Sequence, residues 1–316
     1  MSETTTSAWT RRIFEPSAPA LRLALVRVVV VAYALVALVV IGTELPRLLD
    51  QPASRFAAVG AMTLHGPPTA AAAWSVYGVT LLAGLGALVG WRYRYCAPSF
   101  ALGLLWVASL RHSWGHVGHG EHLLVLHVLV LAASPAADTC RLDGRRVDAG
   151  DTARYGWPLR VMAVVTVLTY VLAGWAKLRF GAEAWLGGDA VRLQVAFDAA
   201  RKARLGVDVP WLAAKLVPHA WAFVPLSWLT LAVELGAPLA LLGPAAARRW
   251  SLAAWTMHVG IALVMGIAFA YPLTGVAFLA LLRPERGLAR LSRRRRRRRR
   301  RHPLVSGTRS SYRGGT

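Results

Sequence analysis

The most informative residue of this sequence is Lys177, which closes the otherwise apolar helical stretch from Tyr170 to Leu178. An ammonium group is costly in hydrocarbon, so the side chain must reach the interface, pair with a neighbour or lose its proton. A neutral amine is a strong base, and beside a histidine it could deprotonate a lipid-soluble substrate. The structural alternative is a lysine that only anchors the end of its helix at the interface.

Other polar side chains lie at two depths of the predicted helices. Arg111 and His122 lie at helix ends on the same predicted outer side as Lys177, so one cluster could collect them. Glu234 lies about nine residues, and His258 about eight, from the predicted cytoplasmic end of its helix. At about 1.5 Å per residue, the two side chains share a depth near the midplane of the membrane. We therefore expect Glu234 and His258 to form a pair, whose structural alternative is a contact that only braces two helices.

The histidine-rich stretch Arg111–His122 is a candidate metal site. His112 and His116 are four residues apart and His119 and His122 are three apart, and both spacings suit ligands on a helix. Glycines interrupt this stretch, however, and it lacks the His-Glu-x-x-His order of metalloproteases. No metal is expected.

Long apolar segments must hold these groups, since 56% of the residues are hydrophobic. A membrane-spanning helix needs about 20 mainly apolar residues. Five segments approach that length and three are shorter: Leu23–Gly42, Ala70–Trp91, Pro158–Ala176, Trp221–Leu242 and Ser251–Tyr271, then Ala97–Leu110, His122–Ala137 and Pro272–Leu282. The sequence thus predicts an all-α transmembrane bundle of about eight helices.

Arginines are concentrated in alternate short loops between these helices. Such loops face the cytoplasm, so both termini are predicted to be cytoplasmic in a multi-pass protein of a bacterial-type plasma membrane. The segment from 178 to 220 mixes basic with acidic residues, and its apolar spacing at Leu193 and Phe197 indicates a helix that lies on the outer surface.

Nine of the positive charges behind the net charge of +22 form the run Arg293–Arg301. A like-charged tract cannot pack, so we expect a disordered tail that contacts anionic lipid, and binding to nucleic acid is disfavoured. The predicted division is a cytoplasmic segment 1–20, a membrane domain 21–285 and an arginine-rich tail 286–316.

Three ordered motifs resemble those of the HTTM family, the membrane domain shared with vitamin K-dependent gamma-carboxylase. They are Ala173–Leu178 with Trp185–Gly188, similar to AG-x-x-KL…W-x-x-G; Glu121–Leu124 with Ser134–Asp138, similar to NH-x-x-L…SP…D; and Glu234–Pro238 with Trp255–His258, similar to EL-x-x-P…FH. The similarity covers roughly residues 20 to 285.

This resemblance implies a reaction. In the family, a membrane lysine matched by Lys177 starts the deprotonation of reduced vitamin K, and oxygen converts the quinol into an epoxide by way of a strongly basic alkoxide. That base takes a proton from a substrate glutamate, and the carbanion captures carbon dioxide. The histidine matched by His122 assists the acid–base work. The implied co-substrate is a reduced naphthoquinone of the vitamin K or menaquinol type.

The chain departs from the family at Glu121, where asparagine is usual, and it continues into the arginine-rich tail instead of the large extracytoplasmic domain that binds peptide in the carboxylase. Carboxylation is therefore not expected. The leading hypothesis is a quinone-linked oxidase or epoxidase, with Lys177 and His122 catalytic and with Arg111, Glu234 and His258 supporting. The alternative is a membrane scaffold or small-molecule transporter that keeps the fold and has no enzymatic activity.

Overall fold

The computed structural model describes residues 16–115, 118, 120–142, 150 and 152–287. The part of the chain so described is helical, apart from one isolated antiparallel bridge between Ala18 and Thr152. In chain order the α-helices are α1 Ala20–Leu49, α2 Ala70–Val89, α3 Tyr93–His112, α4 His122–Ala132, α5 Ala153–Leu186, α6 Asp189–Arg204, α7 Trp211–Leu216, α8 Phe223–Leu235, α9 Pro244–Met265 and α10 Ala270–Leu273. The arginine run of the predicted tail lies outside the described residues.

Three of these helices, α1, α2 and α5, are long and apolar enough to cross a membrane. Two shorter apolar helices span His122–Ala132 and Ala220–Leu235. The all-α, membrane-type prediction is therefore confirmed. The count of eight spans and the cytoplasmic position of both termini stay predictions.

Two predicted helices, Trp221–Leu242 and Pro272–Leu282, have different boundaries in the structure. The segment predicted to run to Leu242 leaves the α-helical conformation after Leu235 and continues as the 3₁₀ helix Ala237–Leu241. Pro238 explains the change, because it has no N–H to donate to the preceding turn. The final predicted helix is instead α10 followed by a 3₁₀ helix, since Gly275 between them has a positive φ of 78°.

Helix α5 is longer than the sequence predicts, because it continues past Ala176 to Leu186 through a kink at Gly181. The predicted surface helix follows as α6. Leu193 and Phe197 are exposed on α6, which leaves an apolar side for a membrane surface to cover. Lys177 therefore lies before a bend and does not end its helix.

An ion-pair cluster holds α6 against the end of α9. Asp198 accepts hydrogen bonds from Lys202 at 2.7 Å and from Arg201 at 2.8 Å, and Lys202 also donates to the carbonyl of Met265. Burial alone would raise the pKa of Asp198, but the hydrogen bonds from these two cations outweigh it and hold the pKa below its ordinary value. The acid is therefore ionised near neutral pH, where it fixes the position of α6.

The main core lies where α1, α3, α4 and α5 meet, around side chains such as Leu38, Phe100 and Tyr155. The chain before α1 closes one end of this core, because Ala18 and Thr152 exchange backbone hydrogen bonds of 3.2 Å. Gly156 permits this closure, since a Cβ at that position would overlap the carbonyl oxygen of Pro16.

Gly156→Ala is expected to displace the segment around Pro16 and to cost about 1 to 3 kcal/mol of stability, as overpacking typically does. Gly78→Ala on α2 is the matched control, because a Cβ there meets nothing within 4 Å. The control should be neutral or stabilising by up to about 1 kcal/mol. Thermal unfolding of both variants in detergent measures the difference, and equal melting temperatures would show that Pro16 does not pack on α5 as described.

Candidate functional site

Lys177 and Glu234 form a buried ion pair between α5 and α8. The Lys177 Nζ atom lies 2.6 Å from Oε1 and 2.8 Å from Oε2 of the carboxylate, so it contacts both oxygens. The side chains are 20% and 7% exposed, respectively. The ammonium also lies 5.0 Å from the ring centroid of Trp185, within the range of a cation–π contact.

Small residues in the motif around Lys177 make this pair possible. A Cβ on Gly174 would come within 3.0 Å of Glu234 and of Leu235, so this glycine lets α8 approach α5 closely. The kink at Gly181 changes the direction of the helix, and the next turn carries Trp185 back over the ammonium. The first and third motifs of the sequence analysis therefore meet at this pair.

A second polar contact lies deeper along α5. The Tyr170 hydroxyl is 2.7 Å from Nε2 of His258 on α9. Tyr170 precedes Lys177 by two helical turns, about 10 Å along the axis, on the same face of α5. Glu234 is close enough to Tyr170 to interact with it electrostatically.

The predicted direct pair of Glu234 and His258 is therefore wrong. Both carboxylate oxygens of Glu234 bind Lys177, and Nε2 of His258 binds Tyr170, while its Nδ1 has no hydrogen-bond partner in the described part of the chain. The physical reason is that α5 supplies a better partner to each residue: a cation for the carboxylate and a hydroxyl for the imidazole.

A third polar group surrounds His127, which was not predicted from the sequence. This residue is fully buried on α4, where its Nδ1 lies 2.7 Å from the Tyr271 hydroxyl and its Nε2 lies 3.1 Å from Oγ1 of Thr166. Thr166, Tyr170 and Lys177 all lie on one face of α5, and we call them the polar stripe. A histidine inside the apolar run His122–Ala132 was the signal that could have revealed this group.

Arg111 and His122 belong to a different cluster near the α3–α4 connection. Arg111 Nε donates to Glu44 at 2.7 Å, its Nη1 donates to Glu121, and His112 Nε2 lies 2.9 Å from the other Glu121 oxygen. The ring of His122 packs edge-on against that of His112, with centroids 5.8 Å apart. Glu44 was not predicted, and His116 and His119 lie outside the described residues.

The prediction that Lys177 and His122 meet is also wrong. The side chain of Lys177 contacts Glu234 and Trp185, and His122 joins the cluster around Glu121. Glu121 accounts for the difference: as a carboxylate it attracts Arg111 and His112, which an asparagine would bind more weakly.

A comparison of the sequence with known protein families identifies a matching family. The model of the HTTM domain matches residues 14–282, which includes all three motifs and every residue of the ion pair and the polar stripe. The chain belongs to the HTTM family. No curated protein and no solved structure matches it.

Proposed function

We propose that this HTTM protein deprotonates a reduced quinone at the Lys177–Glu234 pair, in a quinone-linked oxidation that uses oxygen. The observation that carries the proposal is the pair itself, a lysine bound through both oxygens of a buried carboxylate. Leu172, Trp175 and Phe180 beside it are exposed apolar side chains, as expected for a helix flank that faces lipid. A lipid-soluble substrate would reach the pair along that flank.

The side chains around the pair fit a quinol. The Lys177 ammonium can donate to a phenolic oxygen, Glu234 can accept a hydroxyl proton, and the indole of Trp185 offers a flat apolar face beside both. A reduced quinone would supply the electrons that pass to oxygen. The protein would supply the proton acceptor and the positive charge that stabilises the deprotonated oxygen.

Proton transfer within the pair determines which atom is the base. If the proton shifts from Nζ to a Glu234 oxygen, the ion pair becomes an amine beside a carboxylic acid, and the Lys177 amine is then the base that the sequence analysis expected. Such a shift is favoured where water is excluded, because the neutral form avoids the cost of burying charge. Tyr170, whose hydroxyl binds His258, lies two helical turns before Lys177 on the same face of α5.

For His122 and Arg111 we propose an indirect role. Their cluster contains two carboxylates, Glu44 and Glu121, around one guanidinium. The imidazoles of His112 and His122 lie beside these groups, and an imidazole can both donate and accept a proton. The cluster would thus pass protons that leave the substrate on to water, and its own side chains would not contact the reacting atoms.

Lys177→Arg is the test of the proposal. Arginine keeps the charge and can still bind Glu234 through two hydrogen bonds, but it cannot act as a neutral base. We expect the wild-type protein to consume oxygen with reduced naphthoquinone, and the variant to fold and to lose turnover by about 100-fold or more, the range of general base catalysis.

Lys215→Arg is the matched control, because Lys215 also lies over an indole ring, 4.9 Å from the centroid of Trp211, and is exposed. Its turnover should equal that of the wild type. Full turnover in Lys177→Arg would show that Lys177 is not the base. A wild-type protein that neither binds quinone nor consumes oxygen would leave the scaffold or transporter alternative.

A further inference from the structure

A cavity of about 670 Å³ lies near the start of α5, away from the ion pair. Arg160 on its wall precedes Lys177 by 17 residues, which corresponds to about 25 Å along a helix axis. Four pieces of the fold form the other walls: the segment Pro16–Ala18, the end of the 3₁₀ helix Ala237–Leu241, the first turn of α9 and residues 280–283. The cavity is thus separate from the proposed quinol site.

The described residues that line this cavity include three arginines, Arg22, Arg160 and Arg283, and no acidic side chain. Glu285 lies nearby and binds Arg22 at 2.7 Å, which neutralises one of the three charges. Arg160 forms no ion pair within the described part of the chain, so its positive charge favours an anion at this cavity.

Several N–H donors at the cavity can form further hydrogen bonds. The Nε atom of Arg22 is buried and has no hydrogen-bond partner in the described chain. Arg160 donates from Nη1 to the carbonyl of Leu241 at 3.3 Å, and a guanidinium has five N–H donors in all. A buried donor without a partner is costly, so a ligand with several acceptor oxygens would stabilise this arrangement.

The start of α9 adds further donors of the same kind. This 22-residue helix begins at Pro244, and Gly243 before it provides no side-chain cap. Pro244 has no N–H, and the N–H of Ala247 binds the carbonyl of Gly243 at 2.9 Å, so the first-turn N–H groups without a side-chain acceptor are those of Ala245 and Ala246. Their neighbours Gly243, Pro244 and Ala247 line the cavity. The positive end of the helix dipole favours negative charge at this point.

We propose that this cavity binds the phosphate group of an anionic phospholipid. Phosphate oxygens match the planar forks of arginine and the N–H groups of a helix start. Leu159, Ala163 and Leu282 provide the apolar part of the wall, which suits the glycerol and first acyl carbons of a lipid better than a free phosphate ion. The bound lipid would join the segment before α1 to α5 and α9.

Thermal unfolding of the full-length protein in detergent tests this proposal by titration with short-chain phosphatidylglycerol, with phosphatidylcholine of the same chain length and with inorganic phosphate. We expect saturable stabilisation by phosphatidylglycerol and little from the other two. Arg160→Gln should weaken the binding of phosphatidylglycerol by about tenfold or more, because it removes charged hydrogen bonds to the ligand.

Arg249→Gln is the matched control, because Arg249 is an exposed arginine on the first turns of α9 that does not line the cavity. It should bind phosphatidylglycerol like the wild type, and Arg283→Gln gives a second cavity variant if Arg160→Gln does not fold. Equal stabilisation by phosphatidylcholine, or equal losses in the cavity variants and the control, would overturn the site. Stabilisation by inorganic phosphate as strong as by lipid would overturn the assignment to a lipid.

Discussion

Lys177→Met is expected to lose about 3 to 5 kcal/mol of stability, because it leaves the Glu234 carboxylate buried without a cation. The double variant Lys177→Met/Glu234→Met should lose far less and should approach the wild type, since an apolar pair of similar volume avoids the cost of burying two charges. Lysine and glutamate both have unbranched methylene stems, which the flexible side chain of methionine can follow. Unfolding followed by circular dichroism in detergent measures all three proteins.

Lys215→Met provides the control for this comparison, because its ammonium is exposed and has no carboxylate partner among the described residues. It should change stability by less than about 1 kcal/mol. If the double variant loses as much stability as Lys177→Met or more, the ion pair is not a coupled unit and the geometry of the site is wrong.

Arg27→Met should be the other strongly destabilising change, with an expected loss of about 2 to 4 kcal/mol from charged hydrogen bonds. The Arg27 side chain is fully buried on α1, where Nη1 donates to the carbonyl of Ala136 at 3.2 Å and Nη2 to that of Cys140 at 2.6 Å. Its guanidinium also lies 5.6 Å from the ring centroid of Tyr93. Arg27 thus ties the chain after α4 to α1.

The matched control is Arg94→Met, because Arg94 is exposed and its one described contact is with the ring of Tyr95 at 5.5 Å. We expect that control to lose less than about 1 kcal/mol in the same unfolding experiment. Equal effects of the two substitutions would mean that the buried contacts of Arg27 do not form in the membrane protein.

The helices with long apolar runs were predictable, and those with short runs were less so. Leu23–Gly42 lies within α1 and Pro158–Ala176 within α5, because the length of an apolar run is itself the physical requirement for crossing hydrocarbon. The segment after Gly275 was not predictable in this way. Its apolar residues allow a helix, but one glycine with a positive φ decides where helical geometry stops.

The partners in the site were harder to predict than the residues. The sequence identified Lys177, Glu234 and His258, but equal depth along separate helices does not say which helices are neighbours or how they are rotated. The structure shows that α5 provides the partner of both side chains, Lys177 for Glu234 and Tyr170 for His258. Arg27 and His127 were missed for a related reason, since their partners include backbone carbonyls, which have no signature in the sequence.

Quinol oxidation by the charge-reversed variant Lys177→Glu/Glu234→Lys tests most directly whether the pair is a reactive site or a brace. The reversed pair restores opposite charges across the same two helices, so the protein should fold with stability close to that of the wild type. The amine, however, would then project from α8 and lie away from its position beside Trp185, and proton transfer depends steeply on such placement. We predict a stable protein whose oxygen uptake with reduced naphthoquinone falls by about 100-fold or more. Stability and oxygen uptake that both match the wild type would contradict the account, because the pair would then act only as a structural contact.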